Sequence, residues 1–291
     1  MREVVIRLNG GLGNQMFQYA FAKAKAREAE ARLLLDRSMF DLPYVPESYR
    51  LDAFPFEPTF TGGARNLLHR ALLSPKLPRP VSAALAVSGI VVRDEAAVFA
   101  PPARKVALYV GYFQRPDVFV PLLDELRRDF ALSLVGDRAE ALACKIRQVP
   151  SVAVHVRRGD YVTVPQFRGT LGVLSARYYR QAMDAMRERV AGARFFVFSN
   201  DHAWVRRELA AYGEDVSLVD LGPEGTDLAE MALMRACRHF VVGNSTFSWW
   251  PAFLSEAADK VVVAPDPWFR HTDAGGADIV LPHWFRQPSD W

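Results

Sequence analysis

The chain is poor in cysteine, with two in 291 residues, Cys144 and Cys237. Two thiols so far apart make neither a disulfide framework nor a metal cluster. They read as small buried thiols in a reducing, cytoplasmic compartment. Histidine is scarce as well: there are six, none at HxxH or HxxxH spacing, so no helix-borne metal pair is expected. No DxD occurs, so the usual carboxylate clamp for a metal–nucleotide complex is missing, and no metal site is predicted. Walker A and GxSxG patterns are also absent, which argues against an ATP hydrolase and a serine hydrolase. No apolar run approaches the roughly 18 residues of a membrane span. The opening MREVVIRLNG is too short and too charged for a secretory signal. An excess of one charge is lacking too: 36 basic against 33 acidic residues give a net +3. Without a dense basic stripe nucleic acid is not an expected partner, whereas a small phosphate-bearing ligand is compatible. The basic, partly amphipathic segment 65–80, RNLLHRALLSPKLPRP, suits either a solvated helix and loop or a peripheral contact on the inner face of the cell membrane.

What is present is apolar sequence in regular alternation. Half of the residues are hydrophobic, enough for two packed domains. EVVIRL (3–8) reads as a strand, Gln15 to about Glu30 as a helix and ARLLLD (31–36) as a second strand. Residues 40–105 are proline-rich and irregular, KVALYVGYF (105–113) reads as a strand, and PDVFVPLLDELRRDF as a helix. After Pro150 the strands SVAVHV, ARFFVFS, VSLVD, HFVVGN and KVVVAP alternate with helices. Asp227 and Glu230 are spaced as a capping box on one of these helices. The fold class is therefore α/β with doubly wound parallel sheets, divided into 1–148 and 149–291.

Ligands of such sheets bind where strands end. The strand 151–156 ends in His155, Arg157, Arg158 and Asp160; the next in Asn200 and Asp201; a third in Asn244, Ser245, Thr246, Phe247 and Ser248 before a helix. Guanidinium forks and helix N-termini both hold phosphate oxygens, so this set suits a diphosphate without a metal. Asp201 and Ser248 also read as helix N-caps, and Arg158 pairing with Asp160 would brace the loop. At the N-terminus NGGLGNQ places Gly10, Gly11 and Gly13 between strand and helix, with amide donors on Asn14 and Gln15. Asp36 then imitates a dinucleotide fingerprint, but Met16 stands where its third glycine belongs.

GGLGNQMFQYA, HVRRGDYV and NSTFSWWPAFL, together with YRLDAF (49–54) and GYFQ (111–114), resemble in order the bacterial α-1,2-fucosyltransferases of glycosyltransferase family 11. The resemblance implies a GT-B fold, two Rossmann-like domains facing across a cleft, the first on the acceptor side and the second binding GDP-fucose. It implies inverting, metal-independent transfer of L-fucose from GDP-β-L-fucose to the 2-hydroxyl of a terminal galactose, in an oligosaccharide or surface polysaccharide. Arg157 would contact the diphosphate, with His155 and Arg158 lining the nucleotide site and Thr246–Ser248 holding phosphate. Asn200 or Asp201 would read the nucleotide, and Asn14 would lie near the reaction centre; Gly11 stands where related enzymes often carry arginine. Asp160 is the nearest candidate base by sequence, or else it orients the arginines. The alternatives are a GT-B transferase with another donor, a dinucleotide-binding oxidoreductase resting on Asp36, and a carbohydrate-binding protein using Tyr44, Tyr49, Trp268 and Trp284.

Overall fold

The computed structural model describes residues 1–72, 90–100, 103, 105–271 and 279–291. They form two compact units, Met1–Ala131 and Leu132–Trp291.

The first unit holds strands β1 (Glu3–Arg7), β2 (Arg32–Asp36), β3 (Ile90–Arg93) and β4 (Val106–Val110) in the order β2-β1-β4-β3, all parallel. Helices α1 (Leu12–Glu28) and α2 (Gly63–Leu72) join the early strands. The expected helix after β4 is broken into α3 (Pro116–Phe119), a 3-10 turn and α4 (Leu123–Asp129). Pro121 lies at the break, where it has no N–H to continue a helical ladder. α1 is buried over most of its surface, with Met16, Phe17, Ala20 and Phe21 inaccessible. Strand β3 escaped sequence reading because it is short and lies in the proline-rich stretch.

The second unit carries α5 (Asp137–Arg147), β5 (Ser151–Val156), α6 (Gly159–Thr163), α7 (Pro165–Thr170), α8 (Ala176–Arg189), β6 (Arg194–Ser199), α9 (His202–Glu208) and β7 (Val216–Leu218). α10 (Asp227–Ala236), β8 (His239–Val241), α11 (Thr246–Leu254), β9 (Val262–Asp266) and β10 (Phe285–Pro288) follow. Its parallel sheet runs β10-β9-β8-β5-β6-β7. Counted within the unit this is the strand order 3-2-1-4-5-6 of a Rossmann sheet, read from β7. Every residue of β5 is buried, which is why SVAVHV reads as continuous apolar sequence. Val152, Val154 and Val156 pack with Tyr178, Met183, Met186, Phe195 and Val197. Complete burial of side chains this size contributes roughly 1.5–3 kcal/mol each.

Several expectations change. The units divide at Ala131/Leu132 rather than at 148/149, because α5 packs against α10 and so belongs to the second unit. Helix α10 is capped by Thr226, whose hydroxyl accepts the Ala229 N–H, and not by an Asp227–Glu230 box. Cys237 is buried but Cys144 is exposed on α5. Trp268 and Trp284 are buried, which removes them as glycan-stacking surfaces; Tyr44 is exposed. Residues 73–80 of the basic segment lie outside the described residues, and no helix among the described residues is long and apolar enough to cross a membrane.

Candidate active site

β6 and β8 flank β5, so the three strand ends singled out in the sequence are neighbours at the point where strand order reverses. Pairing sets Val156 opposite Ser199, which carries Arg158 alongside Asn200 and Asp201. The Arg158 N–H donates to Asn200 Oδ1 at 3.0 Å, and its Nε to Asp201 Oδ2 at 3.2 Å. Its guanidinium lies 4.4 Å from the centre of the Trp204 ring. Asp201 Oδ1 accepts the Trp204 N–H at 3.0 Å, so this residue caps α9, as the sequence allowed. Asn200 and Asp201 thus spend these oxygens on bracing the arginine loop. The expected Arg158–Asp160 pair is replaced by Arg158–Asp201, because register makes the neighbouring strand end the nearer carboxylate. A Cβ at Gly159 would meet the Asn200 amide nitrogen, so a larger residue there would have to push the Asn200 side chain aside.

Arg157 takes the opposite course. Its Nη2 donates to Asp160 Oδ2 at 2.9 Å, and its guanidinium is 5.8 Å from the Tyr161 ring centre. Its side chain is 35% exposed against 17% for Arg158, so Arg157 is the arginine open to a ligand. An ion pair at this exposure is worth about 0–1 kcal/mol. Its physical consequence is orientation of the guanidinium rather than stability. Asp160 Oδ1 is buried without a partner.

His155 is 5% exposed and its Nδ1 has no partner. Burial, reinforced by the Arg157 cation, pulls its pKa down to about 3, so the imidazole is neutral at physiological pH. Its ring lies 5.6 Å from that of Phe247. An unpaired buried donor or acceptor costs about 1–3 kcal/mol, a cost that a ligand atom or water relieves. Asn244 is a pin: Nδ2 donates to the carbonyls of Leu171 and Gly172 at 2.9 and 3.2 Å, and Oδ1 is buried without a partner. The Tyr161 hydroxyl donates to the Asn244 carbonyl at 3.2 Å, and burial raises the phenol pKa to about 12. Ser245, not Ser248, is the N-cap of α11, accepting the Phe247 N–H at 3.3 Å. The Ser248 hydroxyl donates to the Ser245 carbonyl at 3.2 Å. Thr246 and Phe247 are half-buried at the helix start, whose leading N–H groups attract anions.

In the first sheet β1 and β4 are neighbours. Gly11, exposed, is the N-cap of α1. Gln15 does not offer its amide to a ligand: Nε2 donates to the Gly10 and Ser48 carbonyls, both at 2.8 Å, and Oε1 accepts the Arg50 N–H at 2.9 Å. Asn14 is half-buried, and its Oδ1 accepts from Gln114 Nε2 at 3.0 Å. Sequence reading did not place Gln114 in the site, although GYFQ was among its distinctive stretches. Asp36 cannot meet a ribose. It is fully buried, with Oδ1 accepting the Ser38 N–H at 2.9 Å and Oδ2 paired with His69 Nδ1 at 3.0 Å. These hydrogen bonds outweigh burial and hold its pKa below the ordinary carboxylate value.

The described residues thus gather His155, Arg157, Arg158, Asp160, Asn200, Asp201 and Asn244–Ser248 at the carboxyl edge of the second sheet. Gly11 and Asn14 lie at the carboxyl edge of the first. The sequence profile described as Glycosyl transferase family 11 matches residues 91–287. An Escherichia coli protein named Alpha-1,2-colitosyltransferase is 29% identical, covering 98% of this chain and 99% of its own. The Homo sapiens Galactoside alpha-(1,2)-fucosyltransferase 1 is 33% identical over 50% of this chain and 42% of its own. Among solved structures, a NodZ alpha-1,6-fucosyltransferase co-crystallized with GDP aligns at a TM-score of 0.51 and 15% identity, covering 87% of this chain and 92% of that one.

Proposed function

This chain belongs to glycosyl transferase family 11 and has the GT-B type of fold, and we propose that it transfers L-fucose from GDP-β-L-fucose to the 2-hydroxyl of a terminal galactose. The acceptor would be an oligosaccharide or surface polysaccharide, and the anomeric centre would invert. The observation that carries the reading is Arg157, half-exposed and oriented by Asp160 at the reversal of the second sheet, with the start of α11 on the adjoining strand end.

Breaking the sugar–phosphate bond builds negative charge on the departing diphosphate. A guanidinium fork fixed in advance stabilises that charge more than it stabilises bound substrate, and so lowers the barrier. Arg157 supplies the fork; the leading N–H groups of α11, with the Thr246 hydroxyl, supply further donors to phosphate. Neutral His155, with an unpartnered nitrogen beside Phe247, completes the nucleotide site as a hydrogen-bonding group and not as a second cation. Asp160 acts on Arg157; Arg158, Asn200 and Asp201 maintain the loop. Asn14 is assigned to the acceptor chemistry by the resemblance of its motif. We propose no metal, because guanidinium, hydroxyl and N–H donors match anionic oxygen directly; turnover in EDTA equal to turnover in added magnesium is the expected result.

The test is incubation of the purified protein with GDP-fucose and a panel of galactosides, followed by linkage analysis. An α-1,2-fucosylated galactose is expected. Another linkage, or no fucose transfer, overturns the assignment. A second reading, transfer of colitose, is favoured by the full-length similarity to the colitosyltransferase. Because colitose lacks the 3-hydroxyl of fucose, parallel assays with both GDP-sugars separate the two. We extend the proposal to a peripheral contact of segment 65–80 with membrane, which co-sedimentation with anionic vesicles reads.

A further inference from the structure

At the carboxyl edge of the first sheet one side-chain amide is aimed at another. β1 and β4 are adjacent strands of this sheet, and open α/β sheets take ligands at the carboxyl ends of their strands. Gln114, just past β4, donates from Nε2 to Asn14 Oδ1, just past β1, at 3.0 Å. Among the described residues Asn14 is the one partner of the Gln114 side chain.

The turn that delivers Gln114 is strained and anchored. Phe113 has φ +47°, the left-handed region that residues other than glycine avoid. It stays there because its surroundings over-determine it. Its ring is fully buried and stacks on Phe21 at 4.2 Å. The Glu95 carboxylate accepts the N–H groups of Tyr112 and Phe113 at 2.6 and 3.4 Å. The Arg115 N–H donates to the Phe113 carbonyl at 2.7 Å. Strain maintained in this way is characteristic of sites that need one side chain in one direction. On the other side, Gly10 at φ +72° makes the slot: a Cβ there would stand 2.9 Å from Asn14 Nδ2 and 3.2 Å from the Tyr112 ring. The neighbouring amides of Gln15 and Gln18 differ, since both tie down backbone: Gln15 as above, and Gln18 the Asn9 N–H and the Gly111 carbonyl.

We infer that Gln114 is a positioning residue for Asn14: by holding the Asn14 oxygen it fixes which way the amide faces, with the NH2 end beside Gly10 and Tyr112. This rests on the reading that Asn14 takes part in sugar transfer. The sequence places the two residues 100 positions apart, and only the adjacency of β1 and β4 brings them together.

The experiment compares Gln114→Ala, Asn14→Ala and the double variant for kcat, donor KM and GDP affinity, with melting temperature confirming the fold. Gln114→Ala is expected to lower kcat ten- to hundredfold, the order of effect of a misplaced group, with donor KM and GDP affinity unchanged. The double variant is expected to be no slower than Asn14→Ala, since a positioning residue has nothing left to position. Wild-type kcat in Gln114→Ala beside a slow Asn14→Ala overturns the inference and leaves the proposed function intact. Losses that multiply in the double variant also overturn it. Full turnover in Asn14→Ala overturns the role of Asn14 and the inference with it. An independent readout is the Asn14 side-chain amide signal in 15N NMR, assigned by its loss in Asn14→Ala. It should shift or broaden in Gln114→Ala, and an unchanged signal overturns the inference whatever the protein transfers.

Discussion

Arg158 is held by Asp201, from the end of the neighbouring strand, and not by Asp160 in its own loop. Two adjacent arginines thereby acquire different duties. Arg158 is packed on Trp204 and closes a brace between β5 and β6, while Arg157 keeps an exposed edge.

That division predicts different failures. Arg157→Ala should fold normally and lose turnover on the order of 100-fold or more, the size of effect seen when one preorganised transition-state donor is removed. Arg158→Ala should lose stability of about 1 kcal/mol or more, from its ring contact and its charged hydrogen bond, and so melt several degrees lower. Thermal melts and fucose-transfer kinetics on the two variants check both outcomes. Equal melting temperatures for the two would remove the structural duty from Arg158.

Asp160 is next. As a brace it needs only an oxygen facing Arg157 Nη2, which asparagine retains. Asp160→Asn should therefore keep turnover within about tenfold of wild type, whereas Asp160→Ala loses more. A general base contributes on the order of 100- to 10,000-fold, so a loss of that size in Asp160→Asn would identify a base instead. Steady-state kcat for the pair decides it.

Burial of His155 carries a pH signature. Its folded-state pKa, about 3, lies below the ordinary 6.5, so the unfolded chain binds the proton more readily between those values. The stability it supports is complete above about pH 6.5 and is lost as pH falls toward 3, by up to about 1.4 kcal/mol per unit. Measured between pH 7 and 5, His155→Gln should lose less stability than wild type. Denaturant midpoints at the two pH values supply the comparison, and parallel losses would contradict a buried neutral imidazole.

Glu230 runs the other way. Burial first, and the Asp227 charge second, raise its pKa from 4.5 to about 7. The folded state holds this proton longer than the unfolded chain, so stability is lost as pH rises from about 4.5 to 7. Glu230→Gln should consequently raise the melting temperature relative to wild type at pH 8, and by less at pH 5. Because the two effects oppose each other between about 4.5 and 6.5, each is read against wild type in its own variant.

Much of the fold was legible from local pattern. Buried parallel strands read as largely apolar runs: SVAVHV and ARFFVFS ended with β5 and β6, while HFVVGN ran on past the end of β8. Short elements in proline-rich sequence, such as β3, were not legible, because four residues carry too little periodicity to stand out. Helix caps were half legible. Asp201 was found, but Thr226 was hidden behind a better-spaced acidic pair, and Ser245 behind Ser248.

The sequence by itself determined the class of fold, the strand ends that carry polar residues and the motifs that mark the family. Those depend on side-chain type and spacing, which act over a few residues. The tertiary structure decided the partners. Strand order and register placed Arg158 beside Asp201 and Asn14 beside Gln114, and helix α2 closed His69 onto Asp36, keeping that carboxylate away from any ribose. A hydrogen bond forms only over about 3 Å, and which groups come that close is set by strands and helices far apart in the chain.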